Sequence, residues 1–298
     1  MNPIGNDYGA TQVTAEQLAS GEICFQLNGD QSSIVWYQTI GEDTCPVPVK
    51  NGHQQVFANG ELNCDGTPKG ALTYSNTSGS TIPNHAFEDG YCVNCGAEDP
   101  DFKVEQAEDG FYLLDTPGKL YWFARQVNGG NTGMNVRLTA DIDFTAYNVM
   151  IGIAANNYYG TFDGQGHKVT ISLSGADNYI GLFQYLRGTV QDLVVDGTIK
   201  ADAILAAGIA ACTGPNALIQ RCVSNVNIES SVAGIAGHSG LVAHSWALTV
   251  RDCLYTGTIS GETSTCCAGL VGRCDGPTDK AGSLMTGKPE GAAGHDTS

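Results

Sequence analysis

The clearest pattern in this chain is a repeated alternation of apolar and polar residues in its second half. Three ten-residue segments align without a gap: VQDLVVDGTI (190–199), IQRCVSNVNI (219–228) and VRDCLYTGTI (250–259). Apolar residues or cysteine occupy the same columns of all three, with polar residues between them, which is typical of half-buried β-strands. The segments therefore predict copies of one structural unit.

A glycine followed by apolar residues recurs with nearly the same period. It occurs as GLFQYL (181–186), GIAA (208–211), GLVA (240–243) and GLVG (269–272). A unit of about 30 residues with short strands cannot bury its apolar face alone and must stack on its neighbours. The combined pattern predicts a mainly β protein containing a parallel β-helix, or solenoid.

The alignment also assigns residues to columns inside the solenoid. Successive coils lie about 4.8 Å apart, so each column stacks like side chains on one another. Because Leu193, Cys222 and Cys253 share a column, we expect the cysteines to act as small buried apolar residues. The recurring glycines are expected where the chain turns with positive φ or where coils approach closely.

Helices and strands of a different kind precede the repeats. Thr14 and Gln17 have the spacing of a capping box, which predicts a short helix that ends near Asn28. The runs SSIVWYQTI and HQQVFANG are then expected as strands. Thr116 and Pro117 predict the start of a second helix, GKLYWFARQV, between the strand-like runs FYLLD and NVRLTADIDF.

These patterns predict four consecutive parts. A small α+β lead-in covers 1–109, a helix-and-strand cap covers 110–157, and the solenoid covers 158–274. Residues 275–298 contain few large apolar side chains and are expected to be a disordered tail.

The charge of the chain limits its partners. It has 31 Asp and Glu against 14 Lys and Arg, a net charge of −17, which repels phosphate backbones and argues against nucleic acid as a partner. No stretch approaches the roughly 18 apolar residues of a membrane span. The first residues lack the features of an export signal, and we expect further repeats of a longer chain as neighbours.

The glycine segments resemble GLUG-type repeats, and YYGTFDGQGHKVTISL resembles the opening coil of such proteins. The segments TAEQLASGEICFQLNGD and GKLYWFARQVNGGN resemble lead-in regions of large surface proteins from anaerobic gut bacteria. The resemblance covers about 1–275. It implies a right-handed β-helix in a cell-surface or secreted module, sometimes attached to IgA-protease-type peptidases, and it implies no catalysis by the repeat itself.

The cysteines offer one metal-binding pattern. Eleven cysteines cannot all pair within one chain. Cys92 and Cys95 form a C-x2-C knuckle, with His85 and Cys64 upstream, and these four residues would complete a Cys3His zinc site. Because the protein would fill all four positions, the zinc would be structural. A disulfide within this group, or free thiols, is the alternative.

Catalytic motifs are absent from the sequence. There is no H-E-x-x-H, no G-x-S-x-G and no phosphate-binding G-x-x-x-x-G-K-[ST]. Paired carboxylates could hydrolyse a glycosidic bond, but Asp in such contexts usually supports turns. We therefore assign no catalytic residue, and the carboxylate candidates are Asp141, Asp143, Asp163, Asp192 and Asp196.

An exposed aromatic patch is expected at Asn156, Asn157, Tyr158 and Tyr159, where polar residues flank two tyrosines. Aromatic faces can pack on sugar rings, so these residues are the predicted binding site. The leading hypothesis is a non-catalytic, extracellular or cell-surface platform that contacts glycans or a host surface. The alternatives are a carbohydrate-active β-helix enzyme, either a polysaccharide lyase or a glycoside hydrolase, and a structural stalk that contacts only further copies.

Overall fold

The structure, a computed structural model, forms two compact units that divide between Pro100 and Asp101. The residues it describes are 12–77, 79–202, 205–230, 237–261, 267–275, 278–279 and 284–285.

The first unit contains short helices and hairpins. Its elements are α1 (Ala15–Ser20), α2 (Glu22–Leu27), β1 (Phe57–Asn59), β2 (Thr73–Ser75), β3 (Phe87–Glu88) and β4 (Tyr91–Cys92). The predicted capping box is confirmed, since the Thr14 hydroxyl accepts from the amide of Gln17 and the Gln17 side chain accepts from the amide of Thr14. Gly21, with φ of 90°, separates the two helices.

The predicted strand SSIVWYQTI is wrong as a strand. It forms only an isolated bridge between Tyr37 and Val47. Side chains satisfy much of its backbone instead: Asn28 Oδ1 accepts from the amides of Val35 and Trp36 at 2.9 and 2.8 Å. Local side-chain bonds of this kind replace a strand ladder.

The second unit is a parallel β-solenoid, and its described residues include one helix, α3 (Pro117–Asn128), between the first two strands. Its strands are β5 (Tyr112–Leu114), β6 (Val136–Leu138), β7 (Ile142–Asp143), β8 (Thr161–Asp163), β9 (Lys168–Gly175), β10 (Tyr179–Ile180), β11 (Phe183–Leu186), β12 (Thr189–Gln191), β13 (Val194–Ala201), β14 (Leu205–Ala207), β15 (Ala210–Thr213), β16 (Ala217–Gln220), β17 (Val223–Ser224), β18 (Asn227–Ser230), β19 (Gly237–Ser239), β20 (Val242–Ser245), β21 (Leu248–Arg251), β22 (Leu254–Tyr255), β23 (Ile259–Gly261), β24 (Val271–Cys274), β25 (Thr278–Asp279) and β26 (Leu284–Met285).

The strands of this unit stack coil upon coil. One sheet runs β11-β15-β20-β24, with one strand from each of four coils, and a seven-stranded sheet runs β25-β21-β16-β12-β8-β6-β5. Every strand pair between these elements is parallel. The predicted mainly β fold with a parallel solenoid is confirmed.

The repeat alignment gives the observed register. Val190 pairs with Ile219, which pairs with Val250. The residues directly before β13, β17 and β22 form a buried ladder. They are Leu193, Cys222 and Cys253, and their side chains are 0%, 0% and 2% exposed. The two thiols donate to backbone carbonyls at matching positions, Cys222 to that of Gln220 at 3.2 Å and Cys253 to that of Arg251 at 3.1 Å. The predicted ladder is therefore confirmed.

The recurring glycines allow the backbones of adjacent coils to approach closely. A Cβ on Gly208 would lie 2.7 Å from the carbonyl oxygen of Gly240, and a Cβ on Gly240 would overlap the Tyr255 ring and the carbonyl of Gly269. The alternative expectation, a turn with positive φ at these glycines, is wrong. The positive-φ corners are instead Asp192, Arg221 and Asp252, with φ of 51°, 53° and 53°.

We expect Gly240→Ala to destabilise the solenoid by about 2–3 kcal/mol, because backbone and a buried ring must move to admit the methyl group. Gly133→Ala is the matched control, since no atom lies within 4 Å of a Cβ at that position. Urea unfolding of both variants measures the difference. Equal midpoints would contradict the close-approach role of Gly240.

Helix α3 covers the first coils as expected. Its N-cap is Thr116, and its buried face includes Leu120, Phe123 and Val127. The Phe123 ring meets that of Phe162 at 5.9 Å. No helix among the described residues is long and apolar enough to cross a membrane.

The expected disordered tail contains two short paired segments. Thr278–Asp279 pairs in parallel with β21, and Leu284–Met285 pairs in parallel with β22. These four residues continue the coil, because a strand edge at the end of a solenoid offers unpaired backbone groups. The rest of the tail beyond Asp275 lies outside the described residues.

Candidate metal centre

The knuckle that carries Cys92 and Cys95 lies on a tight hairpin. β3 and β4 pair antiparallel with Phe87 opposite Cys92, so Asp89 and Gly90 form the loop. Both have positive φ, 48° and 86°, and an Asp-Gly pair favours this type of two-residue turn. The pair is readable in the sequence as a hairpin signal, and it sets the position of Cys92 without contributing a ligand.

After β4 the backbone folds around the sulfur of Cys92. Gly96, with φ of 73°, donates its amide to the carbonyl of Cys92 at 2.8 Å. The amides of Asn94 and Cys95 hydrogen-bond to the Cys92 sulfur. Amide donors of this kind stabilise a thiolate.

Cys64 comes from a second tight turn. The amide of Gly66 donates to the carbonyl of Asn63 at 2.9 Å, and the amide of Asn63 donates to Thr67 at 2.7 Å. The Asp65 carboxylate accepts from the amide of Thr67 at 2.9 Å. These bonds hold the backbone on both sides of Cys64, whose side chain is buried.

The two turns and His85 bring four ligand atoms together. The Sγ atoms of Cys64 and Cys92 are 3.3 Å apart, and Cys95 Sγ is 3.4 Å from His85 Nδ1. All four atoms lie within 4.8 Å of one another. Ligands of a tetrahedral zinc lie roughly 3.5–3.8 Å apart, given bonds of about 2.0–2.3 Å. The predicted convergence is confirmed, and the cluster could hold a metal ion.

The thiols of this cluster have very different proton affinities. Burial, reinforced by hydrogen bonds to Cys95 and Cys92, raises the pKa of Cys64 to about 12. Burial also acts to raise the pKa of Cys92, but hydrogen bonds from the Asn94 amide, His85 and other neighbours outweigh it and lower this pKa to about 5. Cys92 is therefore the thiolate that can bind a metal directly, whereas a metal would have to displace the proton of Cys64.

The predicted binding patch divides between core and surface. Tyr158 is 0% exposed, and its hydroxyl donates to the carbonyl of Met134 at 2.9 Å, so the expectation that it is exposed is wrong. Strand alternation points it inward and leaves Tyr159 54% exposed. Asn156 and Asn157 are half-buried and donate their side-chain amides to backbone carbonyls.

The carboxylates at the start of the solenoid support turns. Asp141 accepts from the amide of Lys168 at 3.0 Å and contacts His167 at 3.2 Å, and these groups lower its pKa. Asp143 accepts from the hydroxyl of Thr145 at 2.6 Å, which lowers its pKa as well. Both are stabilised as carboxylates.

The remaining three carboxylates are also bound locally. Asp163 accepts from the amide and side chain of Gln165 at 3.1 and 2.6 Å. Asp192 forms a bidentate pair with Arg221, both contacts at 2.6 Å, and this pair lowers the Asp192 pKa. Asp196 accepts from the amide of the following residue at 2.7 Å.

Comparison with known proteins gives one structural similarity. No family model matches the chain, and no curated protein matches it. A crystal structure at 1.30 Å resolution, of a Bacteroides ovatus protein provisionally described as an immunoglobulin A1 protease, is similar with 17% identity and a TM-score of 0.45. The match covers 62% of this chain and 70% of that chain. Similarity at this level carries no functional argument, so the fold rests on the strand pairing described above.

Proposed function

We propose that this chain is a non-catalytic, extracellular or cell-surface module that contacts glycans through its solenoid. The observation that carries the proposal is a group of neighbouring rings from two coils of the solenoid: half-buried Tyr179 and Tyr185 lie on one coil, and buried His244 and exposed Trp246 lie two coils further on. Tyr179 lies 5.2 Å from Tyr185 and 6.5 Å from His244, and His244 lies 5.5 Å from Trp246, between ring centroids. The exposed ring of Trp246 and the half-buried tyrosine rings match the apolar C–H faces of sugar rings.

The exposure of Trp246 and of a further ring, Tyr159, supports a binding role. These two side chains are 55% and 54% exposed, whereas Tyr158, Phe162, Phe183 and Tyr255 are buried in the core of the solenoid. The chain's resemblance to GLUG-type repeats and its low content of charged residues are consistent with a surface or secreted location. Further repeats of a longer chain and a host glycan are the partners that this proposal implies.

The catalytic alternative has weaker support. A glycoside hydrolase needs a carboxylic acid whose pKa is raised so that it can donate a proton. Asp141, Asp143 and Asp192 have pKa values lowered by their hydrogen-bond partners. These carboxylates therefore suit turns and ion pairs better than proton donation.

For the Cys3His cluster we propose zinc. Three thiols and one imidazole form a soft-to-borderline donor set that zinc prefers, and the protein fills all four tetrahedral positions. No position remains for a reactive water. The ion would therefore stabilise the first unit and would not act in catalysis.

A glycan array and a reducing-sugar release assay on the same preparation test the proposed function. We expect array binding without sugar release. Release of reducing sugar would support the enzyme instead, and the absence of both signals would support a purely structural stalk.

A further inference from the structure

A pocket on the solenoid is lined by the rings of Tyr185 and Trp246. Three successive coils each supply one residue at this place. The amide of Gly214 donates to the carbonyl of Leu186 at 2.9 Å, and the amide of Trp246 donates to Thr213 at 3.1 Å. Arg187, Gly214 and Trp246 thus lie one above another. With coils about 4.8 Å apart, the outer two backbones are separated by roughly 10 Å.

The glycine in the middle coil opens this space. A Cβ at position 214 would meet Arg187 Nε at 2.7 Å, so the arginine side chain lies across the glycine. Trp246 borders the pocket from the next coil, and Tyr185 and Asn157 also line it. The pocket therefore combines an aromatic ring with a guanidinium group.

The charge of Arg187 is not neutralised by the described part of the protein. Its guanidinium lies 5.8 Å from the centroid of the Tyr159 ring, and no described carboxylate forms an ion pair with it. Arg137, Arg221 and Arg273 each pair with an aspartate at 3.1 Å or less. In a chain with a net charge of −17, an unpaired guanidinium in a pocket is available for an anionic ligand.

Asn157 supplies a polar group to the lining of the pocket. Asn157 donates both side-chain N–H groups to backbone carbonyls, which leaves its Oδ1 as an acceptor. Burial raises the pKa of Cys212 to about 11, so this lining thiol is neutral and does not compete for Arg187.

We infer that this pocket binds a pyranose that carries a carboxylate, as in an acidic glycan. Trp246 packs on the apolar face of the ring, Arg187 pairs with the carboxylate through two parallel N–H···O bonds, and Asn157 accepts from a hydroxyl. A planar guanidinium matches a planar carboxylate better than a neutral hydroxymethyl group. The inference rests on the proposed glycan-binding function and names the sugar class.

Titration of the full chain with methyl glucuronide and methyl glucoside tests the inference, because these probes differ at the carboxylate. We expect the glucuronide to bind at least tenfold more tightly. Arg187→Gln should remove this preference, and Trp246→Ala should weaken both sugars. Arg221→Gln, whose arginine pairs with Asp192 outside the pocket, is the control and should keep wild-type binding.

Gly214→Ser provides a second test that does not remove a contact. Its side chain should displace Arg187 and abolish the preference while the melting temperature stays near that of the wild type. Equal binding of the two sugars, or an unchanged preference in Arg187→Gln, would overturn the inference. If the array then still shows glycan binding, the proposed function stands without it. If no glycan binds at all, the proposed function fails as well.

Discussion

Cys222→Asp is expected to cost the solenoid at least about 3–5 kcal/mol, because it places an uncompensated charge in the interior. The side chain at 222 is 0% exposed and lies between Leu193 and Cys253 in the ladder. Chemical unfolding of the full chain at pH 7 measures the loss. The loss should shrink at acid pH, because the buried carboxyl has a raised pKa and becomes neutral on protonation.

Cys274→Asp is the matched control, since it makes the same chemical change at an exposed cysteine of β24. Its effect should stay within about 0.5 kcal/mol. Arg221→Asp would be a poorer control, because Arg221 forms the bidentate pair with Asp192. Similar losses for the two cysteine variants would contradict the inward assignment of Cys222.

Zinc removal is expected to unfold the region between Cys64 and Cys95 while the solenoid stays folded. Among the described residues of the first unit, the buried apolar side chains are few, and two of them are proposed ligands: Cys24, Val56, Cys64, Tyr91 and Cys92. A core of this size needs an additional constraint such as a metal. Limited proteolysis with and without a chelator should show cleavage in 64–95 and resistance in 158–272.

Elemental analysis of protein purified without added metal should give close to one zinc per chain. Cys92→Ser should abolish this zinc, and Cys45→Ser, at an exposed cysteine of the same unit, should retain it. Absence of metal together with a Cys92–Cys95 or Cys64–Cys92 disulfide in mass spectrometry would refute the assignment.

The register of the solenoid could be predicted because stacking repeats one environment in every coil. Val190, Ile219 and Val250 meet the same neighbours, so the sequence returns to the same residue type. The corners are less predictable. Asp192 and Arg221 both adopt positive φ, and arginine is not a residue that signals this conformation.

The Cys3His cluster was predictable because residue type and spacing restrict which side chains can share an ion. The pocket was not. Trp246 borders a space only because Gly214 lies on the preceding coil and Arg187 crosses it, and no local pattern records that juxtaposition. Tyr158 shows the converse, since polar flanking residues suggested exposure while strand alternation placed its ring in the core.

The stacking of Arg187, Gly214 and Trp246 has an evolutionary consequence. Repeat arrays change length by gaining or losing whole repeats, and each repeat contacts only its neighbours. Insertion of one coil between those of Gly214 and Trp246 would preserve the fold and every ladder, yet it would place a different side chain opposite the arginine. Under the proposed binding mode, ligand preference depends on which coils are adjacent, and recombination can change it without a single point mutation.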